Sequence, residues 1–457
     1  MEANLFSNIS PLDHRYRDPD AEKFFSGTAY TTYKLKVELA LVKALAKRGV
    51  CPKDALKEIE KACESVTPEE VEAEEDRVKH DIRALVNVIR SKVSDTAKPY
   101  VHMTATSYDI TDTANAARFR DATKEAVIPA LKGLEKVLID LTIREAETTQ
   151  VGRTHGQHAV PITFGYALAH YVSRLGESIV ALEALAHALK GKFSGAVGAH
   201  NSSALFFDDP EQFEKDVLSE LNLEPVETST QVTQPEPLIR LMLEATIASG
   251  VLANIADDMR HLQRTEIGEV GEAFEKAQVG SSTMPQKRNP ISFENVKSLW
   301  KVIVSRVSLP FLDQISEHQR DLTNSASGRT YGEVFAYLIV MAKRLEKAMA
   351  KLTVDHERLS ENLNRGMGLI AAEPLYLMLA SMGHPDAHEK VRTLTLAAEA
   401  AHRPLGEILM EDKELEDYVA KMTEEQKAIL KDPTRYTGVA KKKAKAVAAR
   451  WKKNLAL

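Results

Sequence analysis

A chain of 457 residues is too long for one compact core, so two or three domains are expected. Hydrophobic residues make up 44% and charged residues 28%, and the net charge of -6 excludes a general nucleic-acid binder, whose phosphate contacts require surplus Lys and Arg. The two cysteines, Cys51 and Cys63, point to a reducing compartment without a disulfide frame.

The first residues, MEANLFSNISPLDHRY, show no basic region followed by an apolar run, so no signal peptide is expected. No run of 18 apolar residues occurs, which predicts no membrane span and a cytoplasmic location. Within SPLDHRYR (10–17), Arg15 and Tyr16 interrupt an otherwise plain start. Apart from the basic end of the chain, the acidic PEEVEAEED (68–76) is the one biased tract, and there is no internal repeat. KHDIRAL (79–85) sets His80 beside Asp81. In VHMTATSYDITDT (101–113), Ser107 and Asp109 suit caps of a following helix, which leaves His102 and Thr106 without a structural reason.

GRTHGQHAVP (152–161) is a polar knot just before a long helix expected from Pro161. It holds Arg153, Thr154, His155, Gln157 and His158, more polar groups than a helix start needs. His-x-x-His is also a possible metal pair, but no HExxH occurs and neither cysteine is near, so no metal and no cofactor are expected. Leu168, Val172, Leu175, Ile179, Leu182 and Leu189 then form one core-facing stripe, and Leu238, Leu241, Ala245, Leu252, Ile255, Met259 and Leu262 form a second.

A helix is expected to run through EVGEAFEKAQV to about residue 278 and to end at Gly280 of GSSTMPQKRNP (280–290). Asn289-Pro290 has the cap-then-proline order of the next helix start. That joint explains Gly280, Asn289 and Pro290 but not Ser281, Ser282, Thr283, Met284 and Lys287. Free amides, hydroxyls and an ammonium in one loop make an anion clamp. HQRDLTNSASGR (318–329) places Arg320, Ser325 and Arg329 ahead of another helix, a set that suits a phosphate. Val334, Leu338, Met341, Leu345, Ala348 and Leu352 make a third stripe. The basic KKKAKAVAARWKK (441–453) reads as the solvated face of a last helix, because Val447, Ala448 and Trp451 share the opposite face.

Alternating strand patterns are scarce, so the fold should be all-α, with long helices forming a bundle. The expected domains are a small N-terminal helical one (1–105), a central long-helix bundle carrying the clamp loop (106–352) and a C-terminal helical one (353–457). Helices longer than a small domain needs bury part of their stripe against another subunit, so an oligomer is expected. Together the motifs offer anion-binding donors and several histidines, which suits acid–base chemistry on a polyanionic small molecule.

These motifs also match a family. GSSTMPQKRNP looks like the signature loop of the fumarase/aspartase superfamily, and GRTHGQHAVPITFG, KHDIRAL, SPLDHRYR and QRDLTNSASGR resemble its adenylosuccinate lyase branch. MPQK is also reminiscent of the argininosuccinate lyases, the alternative branch. The resemblance runs from about residue 10 to 350. It implies an all-α, three-domain subunit in a homotetramer with active sites shared between three subunits, acting on a succinyl nucleotide and releasing fumarate. The same family implies the related succinyl-carboxamide step of purine biosynthesis, while the charge and the lack of a long apolar run leave neither nucleic acid nor membrane as an expected partner.

By resemblance, Ser281 is the general base, His155 the general acid held by Glu272, and His80 a second substrate-contacting histidine. Lys287 and Asn289 fall where the family binds the succinyl carboxylates, in the loop that also presents Ser282 and Met284. Thr106 and Ser107 match its TS pair, flanked by His102 and Asp109. Gln231 matches its substrate glutamine, and Thr154 and Gln157 flank the acid. Arg15, Tyr16, Arg320, Ser325 and Arg329 match the nucleotide-phosphate set. Two departures stand out: Thr104 replaces the family's glycine in HMTATSYD, and VTQPEPL after Gln231 lacks the usual basic cluster.

The chemistry explains these types. Removing a proton beside a carboxylate builds a doubly charged intermediate, which fixed amide donors and Lys287 would stabilise. A serine is a weak base unless its pocket is strongly electropositive. Imidazole titrates near neutrality and can protonate the leaving nitrogen. A loop that closes over the substrate would exclude water, with Gly280 as a hinge.

Overall fold

The structure, a computed structural model, describes residues 8–274, 282–315, 318–319, 322–365 and 367–457. The protein is all-α. Among the described residues only two short antiparallel strand pairs interrupt the helices. The three stripes lie on helices Phe164–His187, Glu236–Leu262 and Tyr331–Ala350, with Leu189 and Leu352 just past the ends of the first and third. Leu168, Val172, Leu175, Leu241, Ala245, Leu338, Met341 and Leu345 are all fully buried. Glu236–Leu262 is long and apolar enough to cross a bilayer by length and composition alone, and 56% of its most apolar window is buried inside the protein.

The chain divides into two compact units. The first comprises Met1–Leu131, Ser178–Gly250 and Ser298–Lys343. Its frame is the helix Gly27–Lys47, which packs on Ser107–Ala122, Lys53–Ser65 and Pro210–Ser219. Phe25, Phe119 and Phe335 form an aromatic cluster in its core, with ring centroids 5.2–5.9 Å apart. Offset aromatic contacts of this kind add about 0.5–1.5 kcal/mol each beyond their burial.

The second unit comprises Lys132–Glu177, Val251–Lys297 and Arg344–Leu457. Short helices between His356 and Lys431 close over Leu375, Leu379, Val391, Leu394, Leu405, Leu409, Leu415 and Met422. The last helix, Ala440–Asn454, has the predicted two faces. Ala444, Ala448 and Trp451 are buried, with Trp451 against Gly176, while Lys441 and Lys445 pair with Glu147 at the surface.

Two segments depart from expectation. The knot at 152–161 is not a helix start: Thr149–Thr154 and Gln157–Thr163 form an antiparallel hairpin, Pro161 pairs with Val151, and the helix begins at Phe164. Its two-residue turn is His155-Gly156, with φ 54° and 76°. Positive φ at both positions is the turn type whose twist matches a hairpin, and glycine supplies the second at no steric cost. Further along, the helix expected through 269–278 is not formed in its described part. Val270–Gly271 pairs as a strand with Thr353–Val354, because Gly268 breaks the backbone with φ 67°.

Candidate active site

The candidate residues fall in both units. In the second, the hairpin tip carries Thr154, His155, Gln157 and His158, all exposed, on a buried base. The base is organised by Glu269, whose side chain has no exposed surface. Glu269 accepts from Gln150 Nε2 at 2.7 Å, Arg153 Nη1 at 3.1 Å and Asn362 Nδ2 at 2.9 Å. Charge-assisted bonds of this kind are shorter and stronger than neutral ones, so they fix the strands from which His155 projects. His155 itself forms no hydrogen bond among the described residues, which leaves both ring nitrogens for a ligand. Burial, and then the Arg153 charge, lower the pKa of neighbouring His158.

Glu272 does not hold His155 within the chain. Its Oε2 accepts from Ser292 N at 3.0 Å and its Oε1 from Ser292 Oγ at 2.5 Å, and Glu272 N donates to Gln263 Oε1 at 2.9 Å. A carboxylate at the start of helix Ile291–Ser305 satisfies an otherwise orphan amide and complements the helix dipole. Gln263 also donates to Arg288 O at 3.2 Å, so the C-terminal end of the signature loop is tied down. Ser282, Met284 and Lys287 are exposed on that loop, and Asn289 is half-buried. Ser281 and Arg320 lie outside the described residues.

In the first unit, His80 caps helix Asp81–Ser91, its Nδ1 accepting from Arg83 N at 3.2 Å. That bond places the ring proton on Nε2. Burial works to raise the Asp81 carboxyl, but Lys34, bonded to it at 2.8 Å, outweighs burial and holds it below its ordinary range. His102 Nδ1 lies 2.7 Å from Glu38 Oε1. Thr106 caps helix Ser107–Ala122. Gln231, half-buried, sits in a loop pinned by two bonds from Thr233 to Asp112 and by Ser194 Oγ to Ser229 Oγ at 2.8 Å. Gly198, φ 76°, lets that loop pass so close that a Cβ would stand 2.1 Å from Ser229 O.

Asp109 is turned inward rather than offered to a ligand, because its carboxylate is fully buried. It accepts from Thr106 N at 2.8 Å, from Ser194 N and Gly195 N at 3.2 Å, and from the buried Lys192 ammonium. Its role is to bind the 106–107 turn to the 192–195 segment. Arg15 is exposed, and Tyr16 stands edge-on to Tyr337 at 6.1 Å. Arg329 Nη1 donates to Ser325 Oγ at 2.8 Å, which brings that expected pair together.

Sequence reasoning passed over Lys34, Glu38, Lys192 and Glu269. A signal existed for two of them: Lys34 and Glu38 sit on the same helical stripe as buried Leu41 and Leu45, where charge is out of place.

Thr104, standing where the resemblance expects glycine, adopts φ 69°, and its Oγ1 is buried without a hydrogen-bond partner among the described residues. A β-branched residue in the left-handed region costs about 1–2 kcal/mol, against about 0.4–1 kcal/mol that glycine loses through unfolded-state freedom. Thr104→Gly is therefore expected to raise the thermal midpoint by about 1–3 °C. A fall of more than about 2 °C in a melting curve would contradict this account of the turn.

Comparison with known proteins bears directly on these residues. The chain matches a family described as "Lyase" over residues 14–305 and one described as "Adenylosuccinate lyase C-terminal" over residues 316–437. It is 37% identical over 445 residues to an adenylosuccinate lyase of Pyrococcus horikoshii, covering 96% of this chain and 97% of that one. It is 30% identical to an N-acetyl-S-(2-succino)cysteine lyase of Enterococcus italicus, covering 96% of each. Among solved structures, a fumarate lyase from Mesorhizobium sp. BNC1 superposes with TM-score 0.83 at 26% identity, over 95% of this chain and 98% of that one. With this likeness running through the hairpin, the signature loop and the C-terminal helices alike, the chain belongs to the adenylosuccinate lyase family.

Proposed function

We propose that this protein cleaves adenylosuccinate to AMP and fumarate, and cleaves the succinyl-carboxamide ribotide of purine synthesis by the same β-elimination. A base removes the proton from the succinyl Cβ, the C–N bond breaks as the C=C bond forms, and an acid protonates the departing nitrogen. His155 is the acid, and Ser281 is the base. Lys287 and the loop amides stabilise the doubly charged carboxylate that precedes bond breaking. His80, Thr106, Ser107 and Gln231 bind the substrate. Arg15, Tyr16, Arg320, Ser325 and Arg329 bind its phosphate.

The observation that carries this reading is the histidine tip: an exposed His155, without a hydrogen-bond partner among the described residues, on a turn whose strands are locked by buried Glu269. A proton donor needs such freedom at the ring and such rigidity behind it.

The chain works as a homotetramer in this reading, with each site assembled from three subunits in the cytoplasm. Ile247 on helix Glu236–Leu262 is 58% exposed and Val180 on Phe164–His187 is 47% exposed, apolar surface that a second copy would cover. Glu272 would then reach the His155 of another copy, since each of its oxygens keeps a lone pair beyond Ser292.

Fumarate release from adenylosuccinate, measured beside argininosuccinate, tests the reading. Release from the first is the expected result. Release from argininosuccinate alone would move the protein to the other branch.

A further inference from the structure

Helix Gly27–Lys47 carries two buried charged residues one turn apart, Lys34 at 6% and Glu38 at 1% exposure. Each reaches a loop bearing a candidate histidine. Lys34 holds Asp81, next to His80, and Glu38 holds His102. The second contact is unusual in its one-sidedness. Glu38 Oε1 lies 2.7 Å from His102 Nδ1, while Oε2 is buried with no hydrogen-bond partner among the described residues. A carboxylate with one orphaned oxygen is costly to bury, and it is tolerated best when the group it does touch is a cation.

His102 is itself held in the left-handed region at φ 62°, and its side chain keeps 20% of its surface exposed. With Nδ1 committed to Glu38, Nε2 is the nitrogen left for a ligand. Four residues on, Thr106 caps helix Ser107–Ala122, so His102 lies in the segment that leads into that helix start.

We propose that Glu38 is a positioning residue: it holds the His102 imidazole as a cation with Nε2 directed at an anionic oxygen, phosphate or carboxylate, of the bound substrate. The proposal rests on the succinyl-nucleotide reading for the identity of that substrate. The groups facing the pair are few. Burial works to lower the His102 pKa, and Glu38 outweighs it by charge and hydrogen bond, with Asp109 adding and Arg83 opposing, for a net rise. Cys63, on the neighbouring helix, faces Glu38 as a neutral thiol whose own pKa is pushed up to about 12 by burial and by that carboxylate.

The sign follows. A raised pKa keeps the ring charged to higher pH, so substrate affinity is retained under mildly alkaline conditions. Removing the Glu38 charge lets burial and Arg83 prevail, and the ring loses its proton at lower pH. For Glu38→Gln, KM for adenylosuccinate is expected to rise about tenfold at pH 8 and less than about threefold at pH 6, with kcat within about threefold at both. An equal rise at both pH values, or no rise at pH 8, overturns the proposal. Inhibition by AMP and by fumarate shows whether phosphate or carboxylate is met: weakened inhibition by either at pH 8 supports it, and by neither overturns it.

The two readings fail separately. No fumarate from the unaltered enzyme sinks the substrate assignment. The His102 ring in the ligand-free protein, titrated by NMR with labelled histidine, sinks the Glu38 role if its midpoint lies below the ordinary imidazole value. That titration also decides the matter should Glu38→Gln fail to fold. In a His102→Gln background, Glu38→Gln is expected to add nothing to KM at pH 8, and an added loss there counts against a role through His102.

Discussion

Replacing His155 by asparagine is expected to lower kcat by about 10²–10⁴-fold while KM stays within about threefold. Asparagine is the informative choice because His155 has φ 54°, and asparagine tolerates that left-handed conformation better than alanine does. The exposed ring makes no hydrogen bond among the described residues, so the substitution removes no contact from the fold. The thermal midpoint should therefore stay within about 1 °C. A loss of rate without a loss of stability isolates the chemistry from the scaffold. If kcat is unchanged in a fumarate assay, His155 is not the acid, and His80 and His102 become the candidates.

How much of this could be read from residues alone divides along a physical line. Sustained three-four spacing identifies helices such as Tyr331–Ala350, since the same atoms that make the pattern are those that become buried. The hairpin escaped because its turn signal, His155-Gly156, is an unusual relative of the Asn-Gly pair. Glu269 was unreadable: it is one glutamate in a glutamate-rich stretch, and only the folded partners Gln150, Arg153 and Asn362, distant in sequence, single it out. Asp109 shows the reverse. Its position in a site-like motif suggested ligand contact, and the structure makes it the buried anchor of that motif. A motif preserves a constellation's geometry, and that geometry depends on inward-facing anchors as much as on outward-facing contacts.

That anchor yields the largest expected effect on stability. Lys192 and Asp109 are both fully buried, and Lys192 Nζ also donates to Gly195 O at 3.1 Å. Lys192→Met fills most of the volume but strands a carboxylate inside the protein, and breaking a buried pair from one side typically costs about 3–5 kcal/mol. The expected fall in thermal midpoint is on the order of 10 °C. Pairing it with Asp109→Leu should not restore stability, even though apolar replacement of a whole ion pair often does. Asp109 also receives the amides of Thr106, Ser194 and Gly195, which an apolar side chain would leave orphaned. Full recovery in the double variant would mean that those amides find other partners, and that the carboxylate does not tie the 106–107 turn to the 192–195 segment. Loss of the tie should also raise KM for adenylosuccinate, because Thr106 and Ser107 stand on the turn it holds.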